Sequence, residues 1–480
     1  MPVSPARRIA FDILLRVERD AAFSTELLNA ASRDRRGLDR PVGQGGRGGA
    51  GGRASAGNLD PRDHALATEI ALGCLRRQGE IDHILTVAAG RPVSKLDPEV
   101  RAALRIGCYQ IRYLDRIPAR AAVTESVELV KMARKRSAAG FVNAVLRKIQ
   151  AGGGADTTET LAAAGGSVAL NYPGWMVERW RVAYGADVTS GILRAGVETP
   201  PTYLRLNPGF DADETLRLLA ADGVELEATE LPLALRVVRG RAHESRCFAE
   251  GRCRIQDLSS QCVVPLLELG GEHSFLDLCA APGGKTFQAI DAKGGSRGVV
   301  AADRHLHRLR TLRELAPSEV SGSVPSSEAH LARGVAHEQR VGSSEKPGPH
   351  EPRREVDCVV LDAQQLLPFR GPFDRILVDA PCSGTGTLAR NPEIKWRLRP
   401  EDLLELAAKQ AAILRSALEA LAPAGVLVYS TCSLEAEENQ GVVDAVLAEK
   451  TSFGSGAYFQ RVPGREPGDG FFACQIRRNG

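Results

Sequence analysis

The sequence has no long apolar run and no recognisable targeting signal. Over its 480 residues, no stretch approaches the ~20 apolar residues that span a bilayer. Its start, MPVSPARRIAFDILL, lacks the continuous apolar core and the small-residue cleavage site of a secretory signal. Hydrophobic residues make up 43% and charged residues 25%, as in ordinary soluble globular proteins. We therefore expect a cytoplasmic protein that does not enter a membrane.

The ten cysteines include no CxxC pair and form no ladder with histidines. This absence argues against a zinc site and against a disulfide framework, so we expect no bound metal and free thiols in a reducing compartment. Most of these cysteines should be small buried side chains. A reactive cysteine has to be identified by its surroundings.

The length predicts two or three domains, on a prior of about 150 residues per domain. Residues 1–150 form the first and are predicted to be all-helical, because apolar residues recur there at helical spacing. The clearest examples are Ile9, Ile13, Val17, Val123, Val127 and Val130. A glycine-rich stretch at 36–58 is predicted to be a flexible loop within this domain.

Positive charge is concentrated between residues 98 and 150. This stretch contains four acidic residues and eleven basic ones, which are Arg101, Arg105, Arg112, Arg116, Arg120, Lys131, Arg134, Lys135, Arg136, Arg147 and Lys148. Such a surface could neutralise several phosphates of a nucleic acid. An ordinary solvated helical surface is an equally good interpretation of the charge alone.

Residues 171–250 are predicted to form a small α+β module. PTYLRLNP and ALRVVRG are typical of short strands, and DADETLRLLAADG between them is typical of a helix. We interpret Trp175 and Trp180 at the start of this region as packing residues rather than platforms for bases.

Residues 251–480 alternate apolar strands with helices, which predicts a doubly wound, Rossmann-like α/β domain with a parallel sheet. Five segments are the candidate strands: SFLDLCA, RGVVAAD, DCVVLDA, FDRILVDA and GVLVYSTC. Such sheets bind ligands at the carboxyl ends of their strands. A polar stretch at about 316–355 is predicted to be a disordered insertion.

The segment DLCAAPGGKT, at 277–286, partly matches a phosphate-binding P-loop. That motif requires a glycine five positions before the final Gly-Lys-Thr, and this sequence has Cys279 there. The mismatch disfavours an ATPase. A strand followed by a tight Pro-Gly-Gly turn and a helix start instead favours a nucleoside cofactor held close to the backbone.

Acidic residues end the strands that follow this turn. Asp303 ends the second strand, roughly 20 residues on, where such folds place a carboxylate for ribose hydroxyls. Asp362 ends the third strand and could accept a hydrogen bond from an adenine amino group. The sequence has no second phosphate-binding motif, so this pattern favours a cofactor that contains adenosine but no phosphate, namely S-adenosyl-L-methionine. Each aspartate alone could equally cap a following helix.

Two cysteines follow the last two predicted strands: Cys382, close to Asp379, and Cys432. Carbon 5 of a pyrimidine is too weak a nucleophile to attack a sulfonium methyl group, and a thiolate added at carbon 6 overcomes this. An acid that donates to the ring N3, for which Asp379 is available, promotes the addition. The pattern therefore indicates a pyrimidine C5 methyltransferase.

At these residues the sequence resembles the RNA 5-methylcytosine methyltransferases, in particular those bacterial ribosomal RNA enzymes that have a NusB-like RNA-binding domain. In the helical half the similar segments are ARRIAFDILLRV, LDPRDHALATEIALGCLRRQGEIDHIL and FVNAVLRKI. In the catalytic half they are GRCRIQDLSSQ, DLCAAPGGKT, DAPCSGTG, RNPEIKW, YSTCSLEAEEN and DGFF.

The resemblance implies roles that the residues alone do not supply. Cys432 would be the nucleophile, and Cys382 would aid release of the methylated RNA. The expected substrate is one cytosine of 16S ribosomal RNA, and we expect the protein to act as a monomer. The cofactor pocket would be formed by Cys279, Ala280, Ala281, Pro282, Gly283, Gly284, Lys285, Asp303, Asp362 and Asp379.

Two alternatives remain open from the sequence: transfer RNA as the substrate, and a non-catalytic RNA-binding assembly factor. One position departs from the pattern implied by the resemblance. Ala389 replaces an arginine that usually precedes Arg390, so we expect one RNA contact to be missing or moved.

Overall fold

A computed structural model describes residues 3–33, 60–152, 167–315 and 356–479, and every structural statement below concerns these residues. The insertions predicted at 36–58 and 316–355 lie outside them. The chain divides into two compact units. The first comprises Met1–Pro200 and Leu388–Arg397, and the second Pro201–Thr387 and Leu398–Gly480.

The described part of the first unit is helical. Its helices are α1 (Pro5–Arg19), α2 (Ser24–Arg33), α3 (Pro61–Arg76), α4 (Gln78–Ala89), α5 (Pro98–Tyr113), α6 (Ala119–Met132), α7 (Ala139–Gln150) and α8 (Gly174–Ala195), the last interrupted at Gly185. Three of them begin with proline, whose missing N–H is not needed in the first turn. Single 3-10 turns lie at Val93–Lys95, Arg136–Ala138 and Ser167–Asn171.

The apolar spacing predicted the buried faces of these helices correctly. Ile9, Ile13 and Val17 are buried in α1, and Val123 and Val130 are buried in α6. They belong to one apolar core that runs through the first seven helices. The all-helical prediction is thus confirmed for the described residues.

The packing interpretation also holds for Trp180. This side chain is buried and meets the ring of Tyr172 edge to face, with ring centroids 5.9 Å apart. Trp175 is half-buried.

A segment from the C-terminal half of the chain belongs to this helical unit. Within Leu388–Arg397, which ends in the helical turn Ile394–Arg397, Lys395 donates to the carbonyl oxygen of Arg76 at 2.8 Å. Glu393 accepts from the amide and the hydroxyl of Ser24, at 2.8 and 2.9 Å. The RNPEIKW motif therefore packs against α2 and α3.

The first sheet of the second unit is antiparallel, in the order β2-β3-β1-β4. Its strands are β1 (Thr202–Leu206), β2 (Glu225–Ala228), β3 (Ala234–Arg239) and β4 (Cys253–Ile255), with α9 (Ala212–Ala221) between β1 and β2. The sequence predicted β1, α9 and β3. It missed the exposed β2 and the three-residue β4, because neither has an apolar run. Short helical turns follow at Ala242–Glu244, Arg246–Ala249, Leu258–Gln261 and Val264–Leu267.

The second sheet has seven strands in the order β10-β11-β9-β8-β5-β6-β7. They are β5 (Phe275–Asp277), β6 (Val299–Asp303), β7 (Asp357–Val360), β8 (Phe373–Asp379), β9 (Leu421–Thr431), β10 (Phe453–Arg461) and β11 (Phe471–Arg478). β5 to β9 are parallel to one another and confirm the prediction, whereas β10 and β11 add an antiparallel edge that was not predicted.

Helices α10 (Gly284–Lys293), α11 (Leu306–Leu315), α12 (Pro400–Glu419) and α13 (Gln440–Glu449) accompany this sheet, with a 3-10 turn at Thr385–Thr387. Ile376, Leu377 and Val378 of the central strand β8 are fully buried. This continuous burial explains the unbroken apolar run, which is typical of a parallel strand covered on both faces. Among all the helices described, none is both long and apolar enough to cross a membrane.

Candidate active site

The acidic residues predicted for the site lie at one edge of the seven-stranded sheet. Asp303 ends β6, Asp379 ends β8, and Asp362 lies two residues beyond β7. Because parallel strands end at a common edge, the three carboxyl groups share the edge where doubly wound sheets bind ligands.

The turn between β5 and α10, at 279–285, requires glycine at one point. Gly283 has a φ of 109°, and a Cβ there would lie 2.7 Å from the ring of Phe287 and 2.9 Å from the side chain of Leu312. Both the backbone conformation and the space therefore exclude a larger residue. α10 begins at the next residue, so its first backbone N–H groups lie at this turn without partners within the helix.

Lys285, the lysine of the partial P-loop match, forms an ion pair with Asp379. Its Nζ donates to Oδ2 of Asp379 at 2.7 Å and lies 4.7 Å from the centre of the Phe471 ring. The hydroxyl of Ser430 donates to the other carboxylate oxygen at 2.8 Å. The sequence predicted both charged residues for the site, but not that they pair with each other.

Asp303 and Asp362 each accept hydrogen bonds from their own following loop. Asp303, which is buried, accepts from the amide of His305 at 2.9 Å. Oδ1 of Asp362 accepts from the amide of Gln364 at 3.1 Å and from its side chain at 3.2 Å. A carboxylate has about four lone-pair sites, so these local bonds leave acceptor capacity for a ligand.

The two cysteines that follow β8 and β9 are neighbours in space. The Sγ atoms of Cys382 and Cys432 are 3.3 Å apart, and both residues are free cysteines and partly exposed. The contact with Cys432, together with burial, raises the pKa of Cys382 well above its usual range. Two thiolates this close would repel each other, so ionisation of one thiol disfavours ionisation of the other.

A buried polar network that the sequence analysis missed joins the two cysteine loops. Glu438, just before α13, accepts at Oε1 from the amide of Ser383 and from the side chain of Gln410, at 2.8 and 2.9 Å. Its Oε2 accepts from the hydroxyl of Ser433 at 2.5 Å. The repeated acids in SLEAEEN were the available signal, but they do not show which one turns inward.

Asp277, at the end of β5, is a second acid that the sequence analysis did not single out. It is buried, and it accepts from the hydroxyl of Thr286 at 2.7 Å. Burial raises its pKa to about 7, and the nearby Asp379 adds to this effect. This carboxyl therefore titrates near neutral pH beneath the 279–285 turn.

Some basic residues between 98 and 150 form ion pairs within the helical unit. Arg105 is buried and pairs with Asp82 through two hydrogen bonds, at 2.8 and 2.7 Å, and Arg101 pairs with Glu18. The exposed basic residues that remain are Arg112, Arg116, Arg120, Lys131, Arg134, Arg136, Arg147 and Lys148. The surface charge is therefore smaller than the sequence count indicates.

Ala389, the departure from the expected pattern, has a structural contact through its backbone. Its carbonyl oxygen accepts from Nε of Arg76 at 2.7 Å. A residue of any type could make this contact, so the alanine does not disturb the anchoring of its segment.

Three family models match the chain. The NusB family matches residues 4–151, a ferredoxin-like domain of RsmF/B-like methyltransferases matches residues 172–243, and the 16S rRNA methyltransferase RsmB/F family matches residues 336–477. The fold therefore combines an all-α NusB domain, a ferredoxin-like module and a Rossmann-like methyltransferase domain.

Curated proteins match over most of the chain. A ribosomal RNA small subunit methyltransferase B from Salmonella arizonae is 33% identical, over 86% of this chain and 90% of its own length. A probable ribosomal RNA small subunit methyltransferase B from Bacillus subtilis is 29% identical over the full length of both chains. Among solved structures, PH0851 covers both chains fully with a TM-score of 0.73 at 21% identity. NSun6 from Pyrococcus horikoshii with SFG covers 65% of this chain and 99% of its own, with a TM-score of 0.52 at 19% identity.

Proposed function

Because the chain belongs to the 16S rRNA methyltransferase RsmB/F family, we propose that it transfers a methyl group from S-adenosyl-L-methionine to carbon 5 of one cytosine in 16S ribosomal RNA. The observation that carries this proposal is the contact between Cys382 and Cys432, whose Sγ atoms lie 3.3 Å apart at the ligand-binding edge of the sheet. A methyltransferase that acts on an exocyclic amine needs no thiol. Methylation at carbon 5 of cytosine needs a thiol, because a thiolate added at carbon 6 makes carbon 5 nucleophilic enough.

Cys432 is the nucleophile in this proposal. Its thiolate adds to carbon 6 of the cytosine, which makes carbon 5 enamine-like and able to accept the methyl group. The contact with Cys432, together with burial, raises the pKa of Cys382, and two thiolates this close would repel each other. The ranking of Cys432 above Cys382 is the one that the family resemblance implies.

Cys382 aids release of the product. After methylation, carbon 5 must lose its proton to a base, which in this proposal is the thiolate of Cys382, formed once Cys432 is bonded to carbon 6 and carries no charge. The electrons of the C–H bond then restore the ring double bond, the bond between Cys432 and carbon 6 breaks, and Cys432 leaves as the thiolate. Carbons 5 and 6 are neighbours in the ring. A sulfur 3.3 Å from the nucleophile therefore lies within reach of the carbon that loses the proton.

In this proposal Asp379 faces N3 of the ring, to which it donates only when its carboxyl group is protonated. In the structure its carboxylate accepts from Lys285 and Ser430, each through a different oxygen. These two donors fix the orientation of the carboxyl group. They also place a positive charge beside it, which lets Lys285 stabilise negative charge at this point of the site.

The residues around the β5–α10 turn fit the cofactor. S-adenosyl-L-methionine supplies the methyl group as an activated sulfonium. Gly283 permits the tight turn, and a Cβ on the exposed Gly284 would meet nothing within 4 Å, so the backbone there is open to a ligand. The predicted pocket residues, at 279–285 with Asp303, Asp362 and Asp379, hold the cofactor in this proposal. The SFG in the solved NSun6 structure, an analogue of S-adenosylmethionine, supports this choice.

In this proposal the domains have different roles. Residues 1–150 position the RNA through their exposed basic residues, residues 171–250 form the connecting module, and residues 251–480 carry out methylation. The matches to the NusB family and to the methyltransferase family support this division. A target base inside folded RNA has to leave its stack to reach a thiol at the edge of the sheet.

The test uses purified protein, methyl-labelled S-adenosylmethionine and unmodified 16S RNA, with the Cys432→Ala and Cys382→Ala variants assayed in parallel. We expect 5-methylcytosine from the wild type, no product from Cys432→Ala, and a denaturant-stable RNA adduct from Cys382→Ala. Absence of an adduct from Cys382→Ala together with full turnover would contradict the division of roles.

Two controls separate the alternatives. Transfer RNA in the same assay tests the other RNA substrate, and labelling of it alone would move the proposal to that class. Thermal protection distinguishes the ligands, because a cofactor at a hundred times its dissociation constant adds about 2.7 kcal/mol of stability. We expect S-adenosylmethionine and not ATP to protect. Protection without labelling of either RNA would indicate an assembly factor.

A further inference from the structure

The carboxylate of Glu438 lies between the two cysteine loops and is fully buried. One of its oxygens accepts from the backbone amide of Ser383, the residue directly after Cys382. The other accepts from the hydroxyl of Ser433, the residue directly after Cys432. A single carboxylate thus bonds to the residue that follows each of the two thiols.

The position of Glu438 is itself fixed on two further sides. Gln410 of α12 donates to its Oε1 at 2.9 Å and, from the same amide nitrogen, to the carbonyl of Pro381 at 2.9 Å. The hydroxyl of Tyr429 in β9 donates to the backbone carbonyl of Glu438 at 2.6 Å. The carboxylate is therefore held rigidly against both the strand and the helix that flank the cysteine loops.

Neutral groups supply all of these hydrogen bonds. Among the ion pairs of the described residues, none includes Glu438. Burying a carboxylate without a cationic partner costs free energy, which a neutral side chain of the same shape would avoid. Its charge also contributes to the raised pKa of Cys382. A carboxylate accepts at both of its oxygens and can therefore bond to both loops, whereas a glutamine amide would accept at only one.

We infer that Glu438 is a positioning residue, which holds the thiols of Cys382 and Cys432 at the separation that the reaction requires. The inference rests on the proposed function for its catalytic meaning, but the geometric claim stands apart from it. Without the carboxylate, the amide of Ser383 and the hydroxyl of Ser433 lose their common acceptor. The loops then keep only their direct contacts, such as the one between the hydroxyls of Ser383 and Ser433 at 3.1 Å, and the positions of the two thiols are held less firmly.

The distance between the thiols can be tested without RNA or cofactor. Diamide oxidises two neighbouring thiols to a disulfide: a sulfur–sulfur bond of about 2.05 Å forms, and both thiol protons and two electrons pass to the diazene, which becomes a hydrazine. The rate of formation of the Cys382–Cys432 disulfide, followed by peptide mass mapping, therefore reports how often the two sulfurs meet.

We expect Glu438→Ala to slow this disulfide formation by about tenfold or more relative to wild type. Glu438→Gln should show a smaller effect, because its amide oxygen can still accept from the amide of Ser383. The matched control is Val446→Ala, which truncates a fully buried side chain further along α13, within the apolar core beside the sheet. Equal rates for Glu438→Ala and Val446→Ala would overturn the inference.

Steady-state methylation supplies the second readout. A positioning role predicts that kcat falls by about tenfold or more in Glu438→Ala, while the KM values for RNA and S-adenosylmethionine change by less than about threefold. If Glu438→Ala does not fold, Glu438→Gln carries both measurements. Slowed disulfide formation in a protein whose wild type methylates no RNA would sustain the geometric claim and refute the proposed function.

Discussion

The backbones of Gly386 and Gly470 touch: a Cβ on Gly386 would lie 2.3 Å from the carbonyl oxygen of Gly470. The amide of Gly470 donates to the carbonyl of Gly386 at 2.8 Å, and the amide of Gly386 donates to the carbonyl of Cys432 at 2.9 Å. Three motif segments that are distant in sequence are thus tied together through their backbones. The contact is possible only because neither glycine has a side chain.

Replacement of Gly386 by alanine should therefore push the DGFF segment away from the cysteine loops. We expect the free energy of unfolding to fall by roughly 1–3 kcal/mol, as for other overpacked sites. Urea denaturation provides the measurement. Gly371→Ala is the matched control in the same unit, because a Cβ there meets nothing within 4 Å. Equal stability of the two variants would show that the backbones of Gly386 and Gly470 do not approach this closely in solution.

Much of the fold could be predicted because its signals are local. The five parallel strands are apolar runs set between helices, and their order along the chain placed the acids and both cysteines at one edge of the sheet. The hairpin of β10 and β11 was missed for a physical reason. FGSGAYFQR in β10 is mostly exposed and contains two glycines, so its strand conformation depends on pairing with β11.

The internal contacts of the site could not be predicted in the same way. Lys285 and Asp379 are 94 positions apart, and Ser383 and Glu438 are 55 positions apart. Spacing in the sequence does not reveal pairs that only the folded sheet brings together. The ranking of the two cysteines likewise required the family resemblance.

The ion pair between Lys285 and Asp379 should show energetic coupling. Its side chains are 10% and 29% exposed, so water screens the pair only in part. In a double-mutant cycle of Lys285→Met and Asp379→Asn, we expect the double variant to lose roughly 1–2 kcal/mol less stability than the sum of the single losses. The measurement is urea denaturation of all four proteins.

An exposed pair on the same unit provides the control for this cycle. Arg415 and Glu449 are 38% and 52% exposed, and their coupling should be below about 1 kcal/mol. Strict additivity for Lys285 and Asp379 would show that the two groups do not interact in solution.

Lys395, in the RNPEIKW segment, should make stability rise with pH. Its side chain is fully buried 4.6 Å from the ring centre of Tyr172, and burial lowers its pKa from 10.5 to about 7. Between about pH 7 and pH 10 the unfolded chain binds the proton that the folded chain has lost. The free energy of unfolding therefore increases with pH by at most about 1.4 kcal/mol per unit.

The Lys395→Met variant should lack this increase, because methionine fills a similar volume without titrating. Urea denaturation at about pH 7 and about pH 9 measures the difference from wild type. Lys131→Met, at an exposed position of α6, is the control and should follow the wild type. An unchanged slope in Lys395→Met would mean that another group causes the pH dependence.

Asp277 should make stability fall as the pH rises, opposite to the effect of Lys395. Burial raises its pKa from 3.8 to about 7, so between about pH 4 and pH 7 the folded protein keeps a proton that the unfolded chain releases. By linkage, its contribution to the free energy of unfolding decreases as the pH rises through this window and is constant above it. The slope is at most about 1.4 kcal/mol per pH unit.

Replacement of Asp277 by asparagine removes this titration while keeping an oxygen that can accept from Thr286. We expect the variant to gain stability relative to wild type between about pH 5 and about pH 7.5, measured by urea denaturation at both values. Asp444→Asn, at an exposed position of α13, should shift both values equally and serves as the control. The same difference between Asp277→Asn and wild type at the two pH values would show that Asp277 is already ionised at pH 5. The carboxyl beneath the 279–285 turn would then act as a permanent negative charge.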